Sequence, residues 1–236
     1  MVPSAYGCGM ARNRAQKDTS YIMEIMWLGN GYFRLRSREG TVVTDPTPRK
    51  TSSGSSRTTA DVVTISHGPA SPNDVTGLGG QPKVLTGPGE YEVKGINVIG
   101  IRTYRDDEKG KKRGKNTAYL VEMDDLVVCH LGDLGHILTT DQVDEIGENV
   151  DVLLIPVGGG STLDAAQAVE VISLLEPRVV IPMRYQVGDL DAELDTVDKF
   201  LREFGQTDVE AQPKATVGKS NLPESTQVIV LEPRAS

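Results

Sequence analysis

Cysteine, histidine and long apolar runs are scarce in this sequence, and each shortage excludes a class of protein. The two cysteines, Cys8 and Cys129, are too few for a disulfide framework and form no zinc-ribbon spacing. No run of about 18 apolar residues is present, which excludes a membrane-spanning helix. The N-terminus lacks the charged-then-apolar order of a secretory signal, so we expect a cytoplasmic protein.

Positive charge is also in short supply. The chain has 25 Lys and Arg against 33 Asp and Glu, a formal net charge of −8. This balance argues against non-specific binding to nucleic acid, although a local basic site remains compatible with it. A hydrophobic fraction of 38% over 236 residues is typical of an ordinary globular protein with one sizeable domain.

The beginning of the chain differs in composition from the rest. Residues 1–22 are polar or small and show no apolar periodicity, which predicts a flexible extension. Residues 23–236 carry the periodic segments and are interpreted as one folded domain. Within it, residues 46–59 are rich in Pro, Ser and Gly, the composition of a loop.

The first half of this domain has the pattern of short strands. Residues 61–66 (DVVTIS) form a β-branched run that is typical of a strand buried on both faces, and Lys94-Gly95 is a two-residue hairpin signal. We interpret the charged segment 105–115 (RDDEKGKKRGK) as a solvated hairpin tip. The other strands are predicted at residues 24–28, 32–35, 41–45, 90–93 and 96–101.

The second half alternates strands with helices. Thr140 is predicted to cap a short helix that ends at Gly147, and a longer helix runs from Thr162 until Pro177 stops it. A third helix is predicted over residues 191–204. Strands are predicted at residues 117–122, 126–130, 151–157, 179–183 and 226–231. Two packed sheets with helices outside would accommodate both halves, an α/β arrangement.

Several strand-end motifs, in order and spacing, resemble the metallo-β-lactamase superfamily, closest to the Zn-dependent hydrolases related to ascorbate-6-phosphate lactonase. The motifs are residues 27–30 (WLGN), 61–67 (DVVTISH), 130–133 (HLGD), 156–159 (PVGG) and 182–185 (PMRY). The resemblance implies a four-layer αββα sandwich. It also implies a site for one or two zinc or manganese ions at the edge where strand ends meet, with histidine and carboxylate ligands.

Carried over residue by residue, most of the family's ligands are replaced in this chain. The HxHxDH motif begins at His67, but its second histidine falls on Pro69, its aspartate on Ser71 and its last histidine on Pro72. The other expected histidines fall on Asn30, Arg105 and Arg184, the second of these just before Asp106. The resemblance therefore leaves His67 and Asp133 as metal ligands, with His130 beside them in sequence.

The chain has only three histidines, whereas a catalytic zinc site typically needs three protein ligands and an open position. We therefore expect a degenerate site, without a binuclear centre and with no cofactor. Arg184 is expected to pair with Asp133, because a buried carboxylate needs a partner. Alternatively, Arg105 and Arg184 bind a small anion such as a carboxylate or phosphate.

The functional hypothesis from the sequence is a binding, scaffolding or regulatory module that no longer performs metal-dependent hydrolysis. The alternative is a residual hydrolase of a lactone, phosphoester or other small anionic substrate. It would use one zinc or manganese ion at His67 and Asp133, or no metal. A homo-oligomer is compatible with either hypothesis.

Overall fold

Two mixed β-sheets carry the fold. The computed structural model describes residues 21–47, 58–68, 75, 78–188 and 193–234. Expectations for residues 1–20, most of the Pro-rich loop, Pro69, Ser71 and Pro72 lie outside these residues. The predicted start of the third helix near Asp191 was wrong, because the helix begins at Val197 after its N-cap Thr196. The strands are β1 (Ile22–Trp27), β2 (Phe33–Arg36), β3 (Thr41–Thr44), β4 (Val62–Thr64), β5 (Lys83–Leu85), β6 (Gly89–Val93), β7 (Ile96–Tyr104), β8 (Lys115–Met123), β9 (Leu126–His130), β10 (Val152–Pro156), β11 (Val179–Met183), β12 (Ala215–Gly218) and β13 (Gln227–Val228).

The first sheet has the order β12-β1-β2-β3-β4-β5, and the second has the order β13-β11-β10-β9-β8-β7-β6. In the first sheet only β3, β4 and β5 are parallel neighbours. In the second sheet β9, β10, β11 and β13 are parallel neighbours, as the alternating second half of the sequence predicts. β5 and β12 were not predicted, because both are short and carry polar residues that hide the strand pattern.

The core lies between the two sheets, and apolar side chains of both belong to it. Trp27 and Phe33 come from the first sheet, whereas Ile101 and Tyr119 come from the second, and all four are buried. The hydroxyl of Tyr119 donates to the carbonyls of Ile65 and Leu85 and so joins the sheets at 3.1 and 3.2 Å. The expected α/β sandwich of the metallo-β-lactamase type is confirmed.

Three α-helices are present among the described residues: α1 (Thr140–Ile146), α2 (Ala165–Leu175) and α3 (Val197–Phe204). The bounds of α1 agree with the prediction, but its N-cap is Thr139, whose hydroxyl accepts from the Gln142 backbone. α2 begins later than Thr162, because Asp164 provides the cap. None of these helices is long and apolar enough to cross a membrane.

Tyr21 and Ile22, which the sequence analysis assigned to the N-terminal extension, make contacts with the folded domain. Ile22 is the first residue of β1 and pairs with Gly218 of β12. The ring of Tyr21 lies 3.9 Å from the Arg38 guanidinium carbon, a cation–π contact.

Candidate functional site

Charged side chains gather where strands of both sheets end. Asp45 and His67 follow β3 and β4, whereas Arg105, Asp133 and Arg184 follow β7, β9 and β11. The carboxyl ends of strands that run in the same direction meet at one edge of a sheet, which is where α/β folds bind ligands. Residues far apart in the sequence therefore form one cluster.

Asp133 is the centre of this cluster, with a side chain only 1% exposed. Arg184 Nη2 contacts Asp133 Oδ1, so the pair expected from the sequence is present. Arg105 Nη2 lies 3.0 Å from Asp133 Oδ2, and His67 Nδ1 lies 3.7 Å from the same oxygen. These are ion-pair contacts without good hydrogen-bond alignment, since neither Asp133 oxygen accepts an aligned hydrogen bond from the described residues.

Both arginines are held by close backbone contacts. A Cβ atom at Gly158 would collide with the carbonyl oxygen of Arg184, and one at Gly135 would collide with that of Arg105. Only glycine allows these approaches. Arg184 itself has a φ of 53°, a left-handed conformation that is uncommon for a residue with a side chain. The backbone contacts therefore fix the point from which each arginine side chain extends.

Asn116, which sequence reasoning missed, fixes the backbone of Asp133. Its amide oxygen accepts from Asp133 N at 2.9 Å, and its amide nitrogen donates to the Leu131 carbonyl at 2.9 Å and the Thr103 hydroxyl at 2.6 Å. The sequence signal was a single amide side chain at the start of a mostly apolar strand.

Asp45 was also missed, and it lies beside His67 and Asp133. It is 3% exposed with a φ of 38°, and its Oδ1 accepts from Ser66 N at 2.7 Å. Its Oδ2 has no hydrogen-bond partner among the described residues. Burial raises the pKa of Asp45 above its ordinary value. A lone aspartate after a β-branched strand was the available signal.

Asp45, His67 and Asp133 each offer one atom that could ligate a metal ion, and these atoms lie within 4.8 Å of one another. Two carboxylates and an imidazole suit zinc or manganese. The set fits a single ion in number and spacing, but it does not fit two. No second group of three such residues is found in the part of the chain that the structure describes.

His130 is a packing residue beneath the cluster rather than a solvent-facing group. It is fully buried, its Nδ1 lies 3.5 Å from the Ser66 hydroxyl, and its ring meets Phe33 edge-on. Burial, together with the nearby Arg184, lowers the pKa of His130 to about 3. The imidazole is therefore neutral near pH 7.

Asn30 lies in the exposed turn after β1, and its backbone carbonyl accepts from the Trp27 indole at 2.8 Å. No hydrogen bond or ion pair joins Asn30 to the Asp133 cluster. Ser71, the remaining expected site residue, lies outside the described residues.

Residues 105–114 form the tip of the β7–β8 hairpin, and most of these residues are exposed, as the charged run predicts. Asp106 is only 4% exposed, and its carboxylate accepts hydrogen bonds from the backbone N–H groups of Glu108, Gly110, Lys112 and Arg113. The burial of Asp106 was not predicted, because the charged run does not show which of its side chains accepts from the loop backbone.

The fold and these strand-end residues agree with what known proteins show. A family model described as the beta-lactamase superfamily domain matches residues 24–184, more than half of the chain. The chain belongs to the metallo-β-lactamase superfamily. Sequence resemblance had indicated the same family.

One similar solved structure is described as a Zn-dependent hydrolase of this superfamily from Thermotoga maritima. Its sequence is 37% identical to that of the present chain, and the two structures align with a TM-score of 0.74. The match covers 89% of this chain and 98% of that one. The metallo hydrolase Igni18 from Ignicoccus hospitalis is 22% identical, with a TM-score of 0.59 over 83% of this chain and 97% of its own, and shows the shared fold alone.

A UPF0173 metal-dependent hydrolase of Pyrococcus horikoshii is 31% identical over 98 residues, 41% of this chain and 44% of that relative. The chain therefore spans less than half the length of this relative. Metal-dependent hydrolases thus occur among the chain's similar proteins.

Proposed function

We propose that this chain binds a small carboxylate or phosphate anion at Arg105 and Arg184, as a binding or regulatory module rather than a binuclear metallohydrolase. The observation that carries the proposal is the contact of both guanidinium groups with one buried carboxylate. Two fixed positive charges occupy the places where relatives are expected to have histidine ligands.

The charges of the arginines exceed that of Asp133. Arg105 and Arg184 keep 28% and 20% of their side chains exposed, whereas Asp133 is almost completely covered. A ligand that approaches from solvent therefore meets guanidinium groups before it meets the carboxylate. Guanidinium favours planar or tetrahedral oxyanions, because its donors form a rigid fork.

The same charges oppose a metal ion beside Asp133. Two positive charges about 4 Å apart repel each other by roughly 4 kcal/mol at an effective dielectric constant of about 20. A divalent ion at Asp133 would face about twice this repulsion from each arginine at the same distance. Electrostatic repulsion by the two arginines therefore disfavours a metal ion at Asp45, His67 and Asp133.

Elemental analysis and calorimetry test the proposal together. Protein purified without added metal is expected to contain well under one equivalent of zinc, manganese or iron. Titration with inorganic phosphate and with citrate should show binding that Arg105→Ala and Arg184→Ala weaken about tenfold or more. Arg102→Ala is the matched control, because it removes an exposed arginine from β7, the strand that precedes Arg105. Binding that neither site substitution weakens would refute the proposal.

A second candidate function is a hydrolase that uses one metal ion and acts on a lactone, phosphoester or other small anionic substrate. The observation in its favour is that Asp45 Oδ2 and His67 Nδ1 are buried atoms without hydrogen-bond partners in the described residues. Asp45, His67 and Asp133 would hold the ion, which supplies Lewis-acid chemistry when bound. Arg105 and Arg184 would then orient the anionic part of the substrate.

Zinc titration separates the two functions. The hydrolase requires about one equivalent of tightly bound zinc or manganese, lost in Asp45→Asn and in His67→Ala. Near-stoichiometric metal in the purified protein would reject the anion-binding proposal in favour of this one.

A further inference from the structure

The loop that follows Arg105 is folded around the carboxylate of Asp106. Asp106 Oδ1 accepts from the backbone N–H groups of Glu108 and Gly110 at 2.9 and 2.8 Å. Oδ2 accepts from those of Lys112 and Arg113 at 3.0 and 2.6 Å. Although burial opposes ionisation, these four donors hold the pKa of Asp106 below its ordinary value. A charged acceptor therefore organises the backbone of the loop.

The same hydrogen bonds lead to the Arg105 guanidinium. Arg113 donates its N–H to Asp106, and its carbonyl accepts from Arg105 Nη1 at 3.3 Å. The other terminal nitrogen of Arg105 lies 3.0 Å from Asp133 Oδ2. A continuous series of contacts thus runs from Asp106 through the Arg113 backbone to Arg105 and the buried Asp133.

The backbone that precedes the Arg105 guanidinium group has hydrogen bonds of its own. Arg105 N donates to the Gly114 carbonyl at 3.1 Å, which closes the loop on itself. His136 Nε2 accepts from Tyr104 N at 3.2 Å, and Gly135 N donates to the Tyr104 carbonyl at 3.0 Å. The start of the Arg105 side chain is therefore held in part by contacts outside the loop, while its far end contacts the Arg113 carbonyl and Asp133.

We propose that Asp106 is a positioning residue for the anion site, which holds the Arg113 carbonyl where it orients the Arg105 guanidinium toward Asp133. The proposal rests on the proposed anion-binding function. A carboxylate suits this role, because an ionised side chain accepts several N–H donors at once, whereas an asparagine amide offers one oxygen and two donors.

Asp106→Asn changes the acceptor with little change in size, and Asp106→Ser is a second variant should the first fail to fold. Asp107→Asn is the matched control, since Asp107 is the exposed neighbour in the same loop. The first readout is the Nε–Hε NMR signal of Arg105, assigned with Arg105→Lys. Arg105 Nε is buried, so this signal is expected to be protected from solvent exchange.

The second readout is phosphate affinity measured by calorimetry. Asp106→Asn is expected to weaken phosphate binding about tenfold, because hydrogen bonds to charged groups contribute on that scale. In an Arg105→Ala background the same substitution should have no further effect, since Asp106 acts through Arg105. A merely structural loop residue would weaken binding equally in both backgrounds.

The NMR readout tests the positioning role even if the wild-type protein binds no phosphate. Absence of phosphate binding would contradict the proposed function but not the positioning role. The expected result is that the Arg105 signal moves or broadens in Asp106→Asn while that of Arg184 stays. An unchanged Arg105 signal in a folded Asp106 variant overturns the positioning role. So does an Arg105 signal that moves as much in Asp107→Asn.

Discussion

The two sheets contribute to the strand-end cluster in different ways. The first sheet supplies Asp45 and His67, and each has a buried ligand atom without a hydrogen-bond partner in the described residues. The second sheet supplies Asp133 and both arginines, whose charges meet in direct ion pairs. The first sheet thus supplies two of the three residues that could ligate a metal ion, and the second sheet supplies the third, Asp133, together with two fixed cations.

Under the proposed function, this difference corresponds to a metal pocket that is changed on one side only. A buried carboxylate without its cation is costly, so a replacement charge is needed where that carboxylate is deepest. Asp133 has such a replacement. Asp45 depends less on one, because burial already raises its pKa and favours its neutral form.

The largest expected effect comes from removing the cation on the second sheet. Arg184→Ala should lower the free energy of unfolding by about 2–4 kcal/mol, because it leaves the Asp133 carboxylate with one guanidinium fewer. Urea unfolding measures this change.

A double substitution checks the cause. Arg184→Ala combined with Asp133→Ala should recover part of the loss, since the uncompensated charge is removed as well. Equal losses in the single and double variants would show that Arg184 stabilises through packing alone.

The next effect concerns the buried histidine between the sheets. The pKa of His130 is lowered to about 3 in the folded protein, whereas an unfolded chain takes up the proton near pH 6.5. Its contribution to stability is therefore present above about pH 6.5 and decreases as the pH falls toward 3. We expect the free energy of unfolding to decrease by roughly 1–3 kcal/mol between pH 7 and pH 5.

Urea unfolding at several pH values measures this slope, and His130→Gln should remove most of it. His136 provides the comparison, because its pKa is also lowered, mainly by burial. A slope that persists in His130→Gln but disappears in His136→Gln would show that His136, and not His130, causes the pH dependence.

A smaller effect is expected for the carboxylate of the first sheet. Asp45→Asn keeps the oxygen that accepts from Ser66 N, so it should change the free energy of unfolding by less than about 1 kcal/mol. Asp133→Asn is the matched change on the second sheet and should cost more, because it leaves two arginines without their partner. Thermal or urea unfolding of both variants compares the sheets directly, and equal costs would contradict the asymmetry.

The smallest effect is predicted for the polar N-terminal segment. Deletion of residues 1–20 should leave the melting temperature within about 3 °C of wild type, which for a domain of this size is roughly 1 kcal/mol. The deletion stops before Tyr21, whose ring contacts Arg38. A larger decrease in calorimetry would show that the segment packs on the folded domain.

Local patterns in the sequence determined the elements, the family and one ion pair. The β-branched run before His67, the bounds of α1 and the order of the strand-end motifs are properties of neighbouring residues, which periodicity and turn chemistry reveal. The pairing of Arg184 with Asp133 followed from the motif positions and the cost of a buried charge. Very short strands such as β5, which has three residues, were not predicted, because they are too short to show an apolar alternation.

Only the tertiary structure decided which distant residues meet. Asp45 and Asn116 are ordinary polar residues in the sequence, and their roles depend on strands from different parts of the chain ending at the same edge. The charged run after Arg105 correctly predicted a solvated hairpin tip, but it did not show that Asp106 is buried by the backbone that folds around it. Burial and hydrogen-bond partners are set by packing between elements, and no local pattern of charge or periodicity encodes them.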